Sequence, residues 1–135
     1  MIFLDTDVIL DVALDRAPHA GASAELLDLL ERGPLRTFVS WHTMSNLYSL
    51  LRPARGQGDA REFLAALTRF VRVAPVDADS FRVALSLPFT DLEAAMQVAS
   101  ASTCGALYIG TRNLKDFEHS PIPALTPRQL LDELG

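Results

Sequence analysis

Three carboxylates, Asp5, Asp7 and Asp11, stand close together in the opening stretch MIFLDTDVILD. The stretch starts as a short apolar run, and an acid at the end of a buried strand either caps the helix that follows or belongs to a site at the edge of a sheet. Polar residues of the same kind recur far along the chain, at Asp91 and Glu93 in DLEAAMQ and at Asn113 and Asp116 in TRNLKDF. Hard oxygen ligands gathered from such remote segments suit Mg²⁺ or Mn²⁺. The cation offsets the mutual repulsion of the acids and can activate water against a phosphodiester. Each acid taken alone also has a simpler use: Asp5 or Asp7 as a helix cap, Asp91 as a first-turn acid favoured by the helix dipole, and Asp116 as a solvated loop residue.

Other chemistries find little support. Cys104 is the single cysteine and lies in the apolar stretch ASASTCGALYIG, which excludes an intrachain disulfide and a zinc site built on several cysteines. His19, His42 and His119 are scattered without zinc-ligand spacing, and the chain contains no GxGxxG, GxxxxGK[ST] or GxSxG motif. A net charge of −5 argues against a generally basic nucleic-acid surface, although all the cations but Lys115 are arginines, which suit bidentate contacts to phosphate or carboxylate. Arg52 and Arg55 form a small basic patch in LRPARG. No apolar run approaches the ~18 residues of a membrane span, and the chain starts directly on a strand, so a cytoplasmic protein is expected.

The elements that must position these residues follow from periodicity. Residues 2–4 read as a buried strand passing into a short helix that carries Val8, Ile9, Leu10, Val12, Ala13 and Leu14. A helix fits 18–32, with Pro18 in its first turn, Leu26, Leu27 and Leu30 on its apolar stripe, and Gly33-Pro34 at its end. A second strand is expected at 35–40, then a helix from Trp41 to Arg52 stopped by Pro53 and a loop at 54–59. Asp59 caps a helix to about Phe70. A third strand is expected at 71–76, followed by a short helix capped by Asp77 or Asp79 and a longer one capped by Thr90 and ending at Gly105. The strand ALYIG, the polar loop TRNLKDF, and a closing helix with Thr126 as N-cap and Pro127 at its first position complete the chain. Short apolar strands alternating with helices predict a single three-layer α/β/α domain over residues 1–135, with a central, mainly parallel sheet of about four to five strands. At 135 residues and 49% hydrophobic content, such a chain can bury roughly two-thirds of its unfolded-state surface without disulfides. Ligands of parallel sheets gather outside the carboxyl ends of the strands, where Asp5, the start of the 91–104 helix and residues 111–116 would meet.

The ordered segments MIFLDTDVILD, SWHTMSNLYSLLR, DLEAAMQVASA and IGTRNLKDFEHSPIPALTPRQLL resemble the PIN-domain family, specifically its VapC-like toxin branch, over essentially the whole chain. The resemblance implies a ribonuclease fold dependent on Mg²⁺ or Mn²⁺, in which metal-activated water attacks RNA phosphate, together with a VapB-like antitoxin that blocks the site and a homodimer. Its first acid falls on Asp5, with Thr6 at the adjacent hydroxyl position and Asp7 where Asn is commoner. The acid usual in the middle helix falls on Asn46, and the acid of the DFEDALQ pattern falls on Ala94, whose methyl group cannot bind a cation. Asp91, three residues earlier on roughly the same helix face, is the expected substitute, whereas Glu93 is less well aimed. The last motif falls on TRN, where Thr111 and Asn113 are expected to orient waters or phosphate oxygens, Arg112 to meet the RNA backbone and Asp116 to supply the remaining charge. The expected catalytic and metal-binding set is therefore Asp5, Asp91 and Asp116, with Asp11 an ordinary helix-surface acid. The non-acidic residues at 46, 94 and 113 keep open a second reading, a catalytically weak or inactive PIN domain that binds RNA or an antitoxin.

Overall fold

A computed structural model describes all residues, Met1–Gly135. Five parallel strands form one sheet in the order β3-β2-β1-β4-β5, with β1 at Ile2–Leu4, β2 at Thr37–Val39, β3 at Val71–Val73, β4 at Tyr108–Gly110 and β5 at Ala124–Leu125. Each strand is only two or three residues long, so adjacent side chains on β1 separate the two faces of the sheet. Ile2 and Leu4 enter one core with Val8, Ile9, Leu26, Leu47 and Leu130. Phe3 enters the other with Phe38, Val98, Ile109 and Phe117.

The helices follow this division. The first face is covered by α1 (Thr6–Ala13), α2 (Ala20–Arg32), α3 (Trp41–Arg55), α4 (Gln57–Leu67) and α7 (Pro127–Leu134), whose apolar stripes supply the larger core. The second is covered by α6 (Leu92–Thr103), against which α5 (Ala78–Ser86) packs. This is the expected three-layer α/β/α arrangement, with a wholly parallel sheet.

Several boundaries depart from the periodicity. Pro53 does not stop α3, which continues to Arg55. A proline near a helix end forfeits one backbone bond, and the stop comes instead at Gly56, whose φ of +86° favours glycine. Residues 54–59 are consequently not a loop: α4 begins at Gln57 and places Asp59 in its first turn rather than at its cap. Pro18 lies before α2, which starts at Ala20. Asp77 caps α5 in a capping box with Ser80, and Thr126 caps α7 with Gln129, with Pro127 in its first turn as expected. The expected loop TRNLKDF contains a 3-10 turn, Leu114–Phe117, that buries Phe117, and the pair Ala124–Leu125 adds a fifth strand that its two residues could not announce by alternation.

Strand order reverses beside β1. The chain builds outward from β1 to β2 and β3, then returns to place β4 on the other side of β1. The carboxyl ends of β1 and β4 therefore flank a switch point, the usual place for a ligand crevice in an open parallel sheet. The register Leu4↔Gly110 puts Asp5 directly beside Thr111 there.

Candidate active site

Asp5 follows the last residue of β1 in extended conformation, and its backbone N–H donates to the Gly110 carbonyl at 2.9 Å. Its side chain makes no capping bond to α1. Instead the carboxylate, with the residue only 7% exposed, accepts a hydrogen bond on each oxygen. Gln97 Nε2 donates to Oδ1 at 2.9 Å and Thr111 Oγ1 donates to Oδ2 at 2.8 Å. Thr111 Oγ1 in turn accepts from the Asn113 backbone N–H at 3.0 Å, so one hydroxyl ties the loop after β4 to the acid after β1. Two charge-assisted bonds fix a group that would be costly to bury unpaired.

Asp7 lies two residues further on, in the first turn of α1. Its Oδ2 accepts from the Arg112 backbone N–H at 3.2 Å, while Oδ1 is buried without a partner. Burial first, and then the neighbouring Asp5 charge, raise its pKa from 3.8 to about 7. Two closely placed acids at this edge thus resist simultaneous ionisation.

Asp11 is not a surface acid. It is fully buried on α1 and accepts from Arg112 Nε at 2.5 Å and Nη2 at 3.2 Å, and it also pairs with Arg16 Nη2 at 2.7 Å. The expectation that Arg112 reaches toward RNA is corrected by the same contacts. Its guanidinium is turned inward in a bidentate clamp, and Asp11 raises its pKa further. Arg112 thereby fastens the 111–113 loop to α1 by its side chain and to Asp7 by its backbone.

The remaining expected residues divide into groups. Thr6 Oγ1 meets Thr43 Oγ1 at 2.9 Å, and Thr43 meets Ser40 Oγ at 2.9 Å, a buried hydroxyl chain that joins the start of α1 to the start of α3. Asn46 donates to Glu93 Oε1 at 3.4 Å, and His42 Nε2 lies 3.6 Å from the same oxygen, so Glu93 rather than Asp91 faces the middle helix. Asp91, not Thr90, is the N-cap of α6. Its Oδ1 accepts from the backbone N–H groups of Glu93 at 2.9 Å and Ala94 at 3.4 Å. Asp91 and Asp116 line a common cleft of about 230 Å³ with Thr90, Lys115 and His119, in which Asp5 takes no part. Ala94 is 2% exposed and packs in the apolar layer with Phe3, Phe38 and Val98.

These positions test the fit of a divalent cation. No three Asp, Glu, His or Cys side chains converge closely enough to hold a metal ion. The set Asp5, Asp91 and Asp116 therefore does not form a carboxylate cage: one acid is hydrogen-bonded at the switch point and two stand across a separate cleft. Sequence reasoning also missed Gln97, the partner of Asp5. The available signal was its place three residues after Ala94, on roughly the same face of the helix and within DLEAAMQ.

Comparison with known proteins agrees with this architecture. The family model described as PIN domain matches residues 1–115. No match is found among curated protein sequences. Among solved structures, a toxin–antitoxin complex from Klebsiella pneumoniae superposes with a TM-score of 0.73 at 20% identity, covering 94% of this chain and 98% of that one. VapC20 of Mycobacterium tuberculosis, a sarcin-ricin loop cleaving toxin, gives 0.69 at 20% identity over 90% and 96%. VapBC2 of Rickettsia felis, bound to a DNA fragment from its promoter, gives 0.69 at 14% identity over 93% and 98%. With an acid-bearing switch point between β1 and β4 and a family match over most of its length, the chain belongs to the PIN-domain family.

Proposed function

We propose that this protein is the ribonuclease toxin of a VapBC-like toxin–antitoxin pair, an endoribonuclease that hydrolyses RNA phosphodiesters with Mg²⁺ or Mn²⁺ and is held in check by a VapB-like antitoxin. The observation that carries the reading is the Asp5 carboxylate, fixed by Gln97 and Thr111 at the β1–β4 switch point of a PIN domain. VapC and VapBC proteins among its structural neighbours support the toxin assignment and the antitoxin partner. Asp5 is the residue to which the cation is assigned. Thr111 orients it, and Arg112 keeps the loop that bears Thr111 and Asn113 in place. Ala94 weakens the site, because a methyl group stands where the family pattern has an acid. A homodimer in the cytoplasm is part of the same reading. No helix is long and apolar enough to cross a membrane.

The test is cleavage of structured and single-stranded RNA by the purified protein, in Mg²⁺, in Mn²⁺ and in EDTA, alongside Asp5→Asn and Ala94→Asp. Metal-dependent products that disappear in Asp5→Asn and increase in Ala94→Asp are expected. RNA left intact by both the wild type and Ala94→Asp, in either metal, refutes the ribonuclease reading.

One observation favours a second reading. The absence of any converging set of three acids suits a PIN domain that works by binding RNA or an antitoxin without turnover. Such a module holds its partner equally well in EDTA and in Mn²⁺.

A further inference from the structure

We propose that two copies of this chain pair through the face around Trp41, the indole of each copy filling an apolar hollow on the other. The inference rests on the homodimer in the reading above and assigns it a surface.

Trp41, the only tryptophan in the chain, is the first residue of α3, directly after the N-cap Ser40. It is 71% exposed, although an indole is among the side chains that gain most from burial. Beside it opens a hollow of about 120 Å³, walled by Trp41 itself, by Val76 after β3, by Phe81 and Ala84 on α5, and by Met96 and Ala99 on α6. The apolar surface continues past the hollow. Leu92, Met96 and Ala99 recur at i, i+4 and i+7 along α6, and Phe81 and Leu85 at i and i+4 along α5. Val76, Phe81, Leu85 and Leu92 are all half-exposed, because α5 packs on α6 and nothing in the chain covers this flank.

Charge and area choose the occupant. The ionised groups beside the hollow are acids, Asp77 at the start of α5 and Glu93 next to His42, while Arg82 on α5 is paired with Asp79. Such a rim repels RNA phosphates, whereas a protein partner meets the apolar centre and leaves the rim charges in water. Trp41 and the half-exposed side chains around it present roughly 500 Å² of apolar surface, near the upper end of what a monomer leaves in one patch. Two such faces bury on the order of 1,000 Å² together, about what a specific interface needs. Ring and hollow lie side by side on one face, so a two-fold axis between them seats both indoles in a single operation. Because α3 and α6 also carry Asn46 and Glu93, the interface borders the candidate site.

The experiment measures the dimer dissociation constant by sedimentation equilibrium and follows tryptophan emission across the same concentrations. The proteins are the wild type, Trp41→Ser, Phe81→Asp and, as a control, Leu107→Asp at the exposed residue before β4, on the opposite edge of the sheet. The wild type is expected to dimerise, with emission moving to shorter wavelength as the indole is buried. Trp41→Ser and Phe81→Asp are expected to weaken the dimer by roughly 100-fold or more, since each change acts twice across the axis, and Leu107→Asp to leave it unchanged. Phe81→Asp keeps Trp41, whose emission should stay that of an exposed indole where the wild type has already shifted. If one variant does not fold, the other and the wild-type emission decide.

A wild type that is monomeric at every concentration overturns the proposal. So does a dimer that forms without an emission shift or survives both substitutions, and so does a monomer whose emission shifts only when single-stranded RNA is added. Failure of the interface and failure of the ribonuclease reading give different results. RNA cleavage by a wild type whose dimer ignores both substitutions removes the interface alone. The expected loss of the dimer in Phe81→Asp, with RNA left intact by the wild type and Ala94→Asp, removes the ribonuclease and leaves the interface.

Discussion

Replacing Arg112 by Met tests whether the buried ion cluster beneath the site loop is a structural anchor. The change removes two hydrogen bonds to Asp11, at 2.5 and 3.2 Å, and leaves that fully buried carboxylate with Arg16 as its only charged partner. Arg16 is 40% exposed at its side chain, so its contribution is partly screened by water. Breaking one side of a buried pair costs about 3–5 kcal/mol, most of it the penalty of an uncompensated charge. Against a total of about 5–15 kcal/mol for a domain, the loss is large. With a slope near ~1.5 kcal/mol per molar urea, the unfolding midpoint falls by roughly 2–3 M.

The control is Asp11→Leu in the same background. Once the buried carboxylate is gone, Met at 112 leaves no charge stranded, and Arg16 can turn to solvent. Arg112→Met/Asp11→Leu is therefore expected to be more stable than Arg112→Met alone, with a coupling energy of about 2 kcal/mol or more in a double-mutant cycle. Urea unfolding followed by circular dichroism at pH 7 measures all the corners. Additivity to within about 0.5 kcal/mol would refute the reasoning, since it would mean that the two side chains do not depend on each other.

The other predictions concern single positions. At Gly110 an added Cβ would lie 2.8 Å from Leu4 Cδ2 and 2.9 Å from Leu130 Cδ1, both in fully buried side chains, so Gly110→Ala is expected to cost about 1–3 kcal/mol by overpacking, read by urea unfolding. Because folding raises the Asp7 pKa from 3.8 to about 7, the folded state binds this proton more tightly than the unfolded state. Its contribution to stability is therefore lost as pH rises from about 4 to about 7 and stays lost above, by up to about 4 kcal/mol at ~1.4 kcal/mol per unit. In EDTA, Asp7→Asn should flatten that part of the stability–pH curve and raise stability at pH 8; a slope unchanged by the substitution would show that Asp7 is not its source. Ala94→Asp places a carboxylate in an apolar layer, so its melting temperature should fall in EDTA and recover in Mn²⁺. An equal drop under both conditions would mean that the new acid reaches no cation.

The clamp at Arg112 shows where local reading fails. In the sequence, Arg112 and Asp11 are a loop cation and a helix acid separated by most of the chain, and both have ordinary solvated uses. Only the return of β4 to the side of β1 brings them together. Asp91 illustrates the reverse case. Its place at the start of a helix was legible, although the cap was assigned to Thr90 and Asp91 to the first turn; an acid there serves the nearest backbone N–H groups whatever the rest of the fold does. Pro53 was misread because its effect depends on how close it lies to the helix end, and Gly56, not the proline, marks that end.

By itself, the sequence determined the three-layer α/β class, the succession of the first four strands and the helices along the chain, the cap at Thr126, a cap at Asp77 or Asp79, and Asp5 as the acid at the end of the first strand. These follow from interactions within a few residues and from apolar periodicity, both of which are written locally. The tertiary structure decided which polar groups meet: Gln97 and Thr111 on Asp5, Arg112 and Arg16 on Asp11, Asn46 on Glu93. It also decided that Asp91 and Asp116 share a cleft apart from Asp5. Those pairings depend on strand order and on the turn of α6 over the sheet, quantities set by packing the whole chain rather than by any short segment of it.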